Sequence, residues 1–356
     1  MPRFDINLGF KLDQLTVNAT ILVLLACYIV YGLVVKQDTR RRALPVHKEW
    51  VVILGASKGI GKALALAYAE RGARVMLVAR DSVELEATAQ ACRAIKPRHS
   101  QLKLNPSRGI ETVQADVASE EGLLAVHQKA KELWGCVDTL IICVGALAVL
   151  PAFALTGSID PASPLHVVRD TVSAEELKQA TAVYDKMVKL NATVPLLATL
   201  TFAPLMAAKS HAPRIALISS VAACIPAPTR AIYASSKSAG TMLMEALRIE
   251  MQGWPTAKSR NGRNGHPFGV TVISPATVET GLREQAADMH LAPDGHKPSG
   301  SSKGLSPDHV ARATISAIDH EQRHSFVPSF YWYARLLHVI IPNVIERGAR
   351  RKYGFM

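Results

Sequence analysis

The chain has 356 residues, 49% hydrophobic and 20% charged, a globular composition shifted slightly toward membrane association and long enough for one large α/β domain with additions. Its formal net charge is +12, of which ten units sit in three patches: Lys36–Lys48, the trio Lys258, Arg260 and Arg263, and Glu346–Lys352. Two of these flank strongly apolar segments, and no aromatic-rich basic groove or nucleic-acid motif accompanies them, so a nucleic-acid partner is excluded and a membrane surface is expected.

Leu15–Val35 carries no charge and is long enough to span a bilayer as a helix. It exceeds the apolar region of a signal peptide, and no small-residue cleavage site follows it. Arg3 and Lys11 precede it, whereas Lys36, Arg40, Arg41, Arg42 and Lys48 follow it. The positive-inside rule therefore puts the downstream chain in the cytosol. The expected organisation is a short N-terminal segment (1–14), a transmembrane anchor (15–35), a basic linker (36–49), one domain (50–328) and an amphipathic basic tail (329–356).

From Trp50 onward, strand and helix patterns alternate, as a parallel doubly wound sheet requires. Trp50–Leu54 is an apolar strand, followed by the turn Gly55-Ala-Ser57-Lys58-Gly59-Ile60-Gly61 and a helix start. Glycines at that spacing let the backbone approach a pyrophosphate, and the helix N-terminus offers free amides. The second strand is Arg74–Arg80. Ala79 stands where an NAD site places a carboxylate for the ribose hydroxyls, and Arg80 follows. Two cations, Lys58 and Arg80, with no carboxylate suit the 2′-phosphate of NADP. Val83–Ile95 reads as a helix, Thr112–Asp116 as the third strand, Ser119–Trp134 as a helix and Asp138–Val144 as the fourth strand. Leu147–Val172, apolar and proline-containing, either roofs part of a substrate site or is a surface insertion. Ala174–Lys209 is a helix containing Asn191.

Ile215–Ile218 is a short buried strand ending in two serines, of which Ser220 lies thirteen residues before Tyr233. Tyr233 and Lys237 are four apart on the next helix, so they share one face. An ammonium beside a phenol favours phenolate and lowers the tyrosine pKa, and Ser220 can bond the oxygen that the phenol serves. Gln252–Phe268 reads as a basic loop, Gly269–Ser274 as a strand, Glu279–Met289 as a lid helix and Pro307–His320 as a helix capped by Ser306. Ser325–Pro328 closes the sheet. The tail mixes aromatics and aliphatics with a basic end, and reads either as an interfacial helix or as packing over the substrate mouth. The five scattered cysteines read as reduced thiols, and His320 and His324, four apart without a third ligand, give no metal site.

The glycine turn and the Ser…Tyr-x-x-x-Lys set together resemble the short-chain dehydrogenase/reductase superfamily, over roughly Trp50 to Pro328. The resemblance implies a Rossmann-type single α/β domain, here behind an N-terminal transmembrane helix. It implies catalytic roles for Asn191, Ser220, Tyr233 and Lys237. Cofactor contacts follow from Gly55, Ser57, Lys58, Gly59, Ile60, Gly61, Arg80, Asp116, Val117, Tyr233, Lys237, Val278 and Thr280. Two positions depart from the family pattern: Cys143-Val144 replaces a pair of asparagines, and Ala276 replaces a glycine before the Val278–Thr280 nicotinamide segment.

By layout, the chain resembles membrane-anchored reductases such as acyl/alkyl-dihydroxyacetone-phosphate reductases, ketosphinganine reductases and hydroxysteroid dehydrogenases; the anchored hydroxysteroid dehydrogenases face the endoplasmic-reticulum lumen. The expected activity is NADP(H)-dependent reduction of a ketone on a lipid-like substrate at the endoplasmic-reticulum membrane. A homodimer through the helices carrying Asn191 and Tyr233 is also expected. Steroid or retinoid oxidoreduction, and a cofactor-binding membrane scaffold, are the alternatives.

Overall fold

The computed structural model describes residues 39–96, 109–258, 265–292 and 304–356, together with Thr20 and Val23. Residues from Arg40 onward form one unit, and those before it a second, of which Thr20 and Val23 are helical. The rest of the expected anchor, Leu15–Val35, lies outside the described residues, as do Arg260 and Arg263 of the second basic patch.

In chain order the elements are β1 (Trp50–Leu54), α1 (Gly59–Glu70), β2 (Arg74–Ala79), α2 (Ser82–Ala94), β3 (Ile110–Gln114), α3 (Glu120–Trp134) and β4 (Thr139–Ile142). A small hairpin of β5 (Ile159–Asp160) and β6 (Ser163–Val167) precedes α4 (Ala174–Val188) and α5 (Val194–Lys209). Then come β7 (Arg214–Ile218), α6 (Ala231–Met251), β8 (Gly269–Pro275), α7 (Pro307–Asp319) and β9 (His324–Val327). The tail forms α8 (Tyr331–Ile340) and α9 (Pro342–Lys352).

Seven of the strands make one parallel sheet in the order β3-β2-β1-β4-β7-β8-β9. Its central strands are buried throughout, because helices cover both faces and leave no side for polar alternation. On one face Leu64 and Tyr68 of α1, Leu85 of α2 and Val310 of α7 pack against Val51 and Ile53. On the other, Val126 of α3, Phe202 of α5 and Met244 of α6 meet Val52 and Leu54. The order reverses between β1 and β4, so the loops leaving these strands diverge and open a crevice at their C-terminal ends.

Several expected boundaries hold closely. Ser119, Ser173 and Ser306 each cap the helix that follows, Ser173 within a reciprocal box with Glu176. Four expectations are corrected. β3 begins at Ile110, paired with Val75, so Asp116 stands beyond the strand instead of closing it. Glu279–Met289 is not a helix: Asp288 accepts from the amides of Val149 and Leu150, at 2.8 and 2.7 Å, and the Ala287 amide donates to the Leu147 carbonyl. These distant partners satisfy groups that a helix would have satisfied locally.

The long helix Ala174–Lys209 is broken by a π-turn at Lys189–Thr193. Among the described residues it is the one helix long and apolar enough to cross a membrane, but it packs in the domain and carries the buried Asn191. Finally, Arg40 at the start of the basic linker is not surface charge, and the exposed Arg41 is paired. Arg40 is buried, bonding Glu49 at 2.9 Å, the Thr139 hydroxyl at 2.6 Å and the Ala212 carbonyl at 3.1 Å. Arg41 pairs with the buried Asp319 at 2.8 Å.

The π-turn sits directly on α6 at Gly240, where an added Cβ would stand 2.1 Å from the Asn191 carbonyl oxygen. Gly240→Ala is therefore expected to destabilise the domain by about 1–3 kcal/mol, read from chemical denaturation. Gly253→Ala, just past the same helix with nothing within 4 Å of its added Cβ, should leave the midpoint nearly unchanged.

Candidate active site

The glycine turn after β1 is dictated by close approach. Gly55 has φ +90°, and its amide and that of Ala56 both donate to the Val78 carbonyl, turning the chain off the sheet. Gly61 is tighter still: an added Cβ would lie 1.9 Å from the Gly55 carbonyl oxygen. Gly59 has φ +54°, and its Cβ would meet the Thr280 methyl at 2.9 Å. Lys58 precedes α1 without a side-chain cap, so the first amides of that helix face the crevice with their positive dipole end. A cradle that side chains would fill, ending on an uncapped helix, fits a dinucleotide pyrophosphate.

Around it, Ile60, Val278 and Thr280 line one cavity, whereas Val117 is buried in the core with Val52 and Leu54. Ser57 offers its carbonyl to Thr88, and the Asp116 carboxylate accepts from the Ala118 amide at 3.0 Å. Arg80 is exposed, and the next residue, Asp81, spends its carboxylate capping α2. Lys58 has a carboxylate neighbour, Glu84, at 3.6 Å. Ala276 lies outside the left-handed region, so alanine carries no backbone strain there, and its amide donates to Val327.

The four expected catalytic residues converge beside this cradle. Ser220, at the end of β7, accepts from the Ala222 amide at 3.2 Å and hydrogen-bonds Tyr233. Lys237 is buried, and its Nζ donates to the Ile218 carbonyl at 3.1 Å. Asn191 accepts from the Ala146 amide and donates to both the Ala146 carbonyl and the Ser236 hydroxyl, each at 3.0 Å. Burial pushes the Tyr233 phenol above its ordinary value, while the Ser220 hydrogen bond and the Arg230 charge pull it down. The expected net lowering by Lys237 is not found: desolvation of the phenol outweighs the attractions, and the cation that acts is Arg230. Burial also pulls the Lys237 ammonium down to about 8.

Some residues escaped the sequence reading. Gly145 sits where a Cβ would be 2.8 Å from Asn191 Oδ1 and 2.9 Å from Lys237 Nζ, so a side chain at this position would push into the catalytic groups. Ser219 and Thr241 exchange a 2.6 Å hydrogen bond that fixes α6 against β7. Arg230, one turn before Tyr233, is buried at the mouth of the site. A cation at a helix N-terminus opposes the helix dipole and was the signal that could have found it.

A cavity of about 440 Å³ joins the glycine turn to Ser220, Tyr233 and Lys237. Leu147 from the loop after β4 lines it, while the β5–β6 hairpin further along is largely exposed, so the 147–172 excursion divides into a roof and a surface insertion. The tail closes the far side through Tyr331, Ala334, Ile345 and Tyr353.

A family model described as short chain dehydrogenase matches residues 49–290. Dehydrogenase/reductase SDR family member 7B of Bos taurus is 25% identical over 92% of this chain and 89% of its own. An 11-beta-hydroxysteroid dehydrogenase 1A of Arabidopsis thaliana is 25% identical over 85% of this chain and 75% of its own. Among solved structures, a short chain dehydrogenase/reductase from Burkholderia phymatum in complex with NAD has the same fold. Its TM-score is 0.61 at 22% identity, over 84% of this chain and 95% of that one. A Caenorhabditis elegans short-chain dehydrogenase/reductase with cofactor matches at TM-score 0.56 and 26% identity, over 77% and 90%.

Lys237 gives this site a pH signature in stability. Its folded value is about 8 against an ordinary 10.5, so between those limits the unfolded chain holds a proton that the folded chain has shed. The destabilisation is thus full below pH 8 and vanishes as pH rises through the unfolded value. Lys237→Met is expected to be inactive yet more stable than the parent by about 3 kcal/mol at neutral pH, the gap closing at alkaline pH. Urea midpoints across that range measure it, and a pH-independent gap would contradict the assignment.

Proposed function

The chain belongs to the short-chain dehydrogenase family, and on that basis we propose that it is a membrane-anchored, NADPH-dependent reductase of a ketone on a lipid-like substrate. The observation that carries this reading is a single cavity shared by Tyr233, the glycine turn and the inner face of α8, whose outer face remains apolar. Trp332, Val339 and Ile340 on α8 are 53%, 76% and 65% exposed. Next to them α9 carries Arg347, Arg350, Arg351 and Lys352. An aromatic and aliphatic face beside a basic one suits the surface of an acidic bilayer. Leu15–Val35 would supply the anchor, in the endoplasmic-reticulum membrane with the catalytic domain on the cytosolic side. Protease added to intact microsomes then digests the domain, whereas protection until detergent is added would place it in the lumen.

Bound NADPH would supply the hydride to the carbonyl carbon. Tyr233 would hand its proton to the oxygen as negative charge develops there, and a phenol held above its ordinary value is in the right protonation state to do so. Ser220 would hold the same oxygen by a hydrogen bond. Lys237 would steady the ribose, and Asn191 fixes the loop after β4 against α6. Arg80 and Lys58 would hold the 2′-phosphate, Arg80 the more strongly because Glu84 competes for Lys58. Leu200 on α5 and Met242 on α6 project from the helices proposed to pair in a homodimer, 58% and 71% exposed. Light scattering of the detergent-solubilised protein reads that mass.

Two measurements test the reading. NADPH is expected over NADH by kcat/KM, each charge-assisted contact contributing about 1.5–3 kcal/mol, and Arg80→Asp should shift the preference toward NADH. Equal use of both cofactors by the parent enzyme would overturn the NADPH assignment. In a series of ketones, kcat/KM should rise with chain length, each buried methylene contributing about 0.8 kcal/mol, and Tyr233→Phe should abolish turnover of all of them. A flat series with turnover of a steroid ketone would instead favour the activity named for the Arabidopsis relative.

A further inference from the structure

We propose that Arg230, assisted by Lys352, forms an oxyanion subsite that receives a carboxylate or phosphate carried by the ketone substrate close to its carbonyl. The proposal rests on the ketone-reductase reading and narrows its substrate class.

Arg230 is 7% exposed, yet no carboxylate neutralises it among the described residues. Its hydrogen bonds within the protein all come from Nη1, at 3.4–3.5 Å to the carbonyls of Ala148, Val149 and Thr229. These are long contacts to neutral acceptors. Its Cζ lies 5.7 Å from the centre of the Tyr353 ring, which leaves the edge of the guanidinium for another partner. Buried cations are ordinarily paired, and a planar fork of donors matches a carboxylate or phosphate.

The surroundings point the same way. Arg230 and Lys352 belong to the wall of the 440 Å³ cavity, and among the described residues that wall contains no aspartate or glutamate. Arg230 also occupies the N-cap of α6, a 21-residue helix, with no side-chain cap to the free amides. A cation there opposes the helix dipole, and an anion bridging it to the cavity reverses that cost. The preceding Thr229 has φ +62°, where a β-branched residue is strained, and its buried hydroxyl finds no partner. The strain accompanies the turn that delivers Arg230 to the cavity.

The subsite is separate from the cofactor cradle. Arg230 touches Ala148, Val149 and Tyr353, none of which belongs to the glycine turn. It stands one helical turn before Tyr233, so the anion would lie a few bonds from the reacting carbonyl. The same charge excludes ketones with an ammonium group at that position.

Short probes avoid partition into detergent micelles. With the full-length, NADP-saturated enzyme, calorimetry should give butyl phosphate or butyrate about tenfold tighter binding, or more, than butanol. The tighter of the two anions names the source of the charge. Arg230→Met should bring the anion to the level of the alcohol, and Lys352→Met, on the exposed tail, should weaken it partially. In turnover, the kcat/KM ratio of a keto acid or keto phosphate over its neutral methyl ester should collapse in Arg230→Met. The ratio is the readout because Arg230 also acts on Tyr233, and retained NADPH binding reports that the variant is folded.

Equal binding of anion and alcohol by the parent enzyme, or an unchanged ratio in both variants, would overturn the subsite. Turnover of neutral ketones without anion preference would remove the subsite and leave the reductase reading standing. Arg230-dependent anion binding without ketone turnover would do the reverse.

Discussion

The site depends on one buried amide. Asn191 is 1% exposed and satisfies its side chain entirely within the protein, twice on the Ala146 backbone and once on Ser236. It reaches both because the π-turn at Lys189–Thr193 inserts a residue into the helical rod, bringing its carbonyl against Gly240 while its amide points at the loop after β4. An unsatisfied buried amide would cost about 1–3 kcal/mol, so loop and helix are held in one relative position. Tyr233 and Lys237 stand on that helix, and Gly145 lies between Asn191 and Lys237. The distances among the catalytic groups are therefore consequences of this interlock, more than of any pair among them.

Burial then decides the electrostatics. Tyr233 is half-buried and Lys237 buried, and desolvation moves each toward its neutral form: the phenol up, the ammonium down to about 8. The nearby Cys143 thiol, pushed up to about 12, stays neutral as well. The site thus concentrates groups that carry little charge of their own against a cavity wall rich in cations. Such a wall suits anionic ligands, and a dinucleotide would take the side nearest the glycine turn.

Much of the fold was legible because its signals are local. Three glycines at fixed spacing after an apolar strand mark the turn within seven residues, and the structure finds each of them crowded: Gly61 by Gly55 in the turn itself, Gly55 by Cys143 and Val144, and Gly59 by Thr280. Ser306 before its helix announced its cap, and Tyr233 and Lys237 share a face by helical period alone. What was illegible is settled at a distance. Nothing in Lys189–Thr193 distinguishes a π-turn from continuous helix, since the reason for it is Gly240, some fifty residues on. Glu279–Met289 has a helical pattern, but Asp288 finds its partners at Val149 and Leu150. The run through Asp116 reads as extended, while the register of β3 against β2 ends the strand at Gln114.

The basic balance of the chain was the least faithful guide, since formal charge ignores what folding neutralises. Arg40 and Arg41 count toward a membrane-facing patch in the sequence, yet Glu49 takes Arg40 into the domain and Asp319 pairs with the exposed Arg41. A buried guanidinium held by a carboxylate, a hydroxyl and a carbonyl adds nothing to the attraction of an acidic surface, and little to stability beyond a hydrophobic replacement. What it does provide is placement. Glu49 precedes β1, Thr139 opens β4 and Ala212 precedes β7, so Arg40 ties together the N-terminal ends of the three strands whose C-terminal ends carry the site. The basic end of α9 lies beside the apolar face of α8 and next to the cavity. Attraction to an acidic surface would therefore act where a lipid substrate would enter.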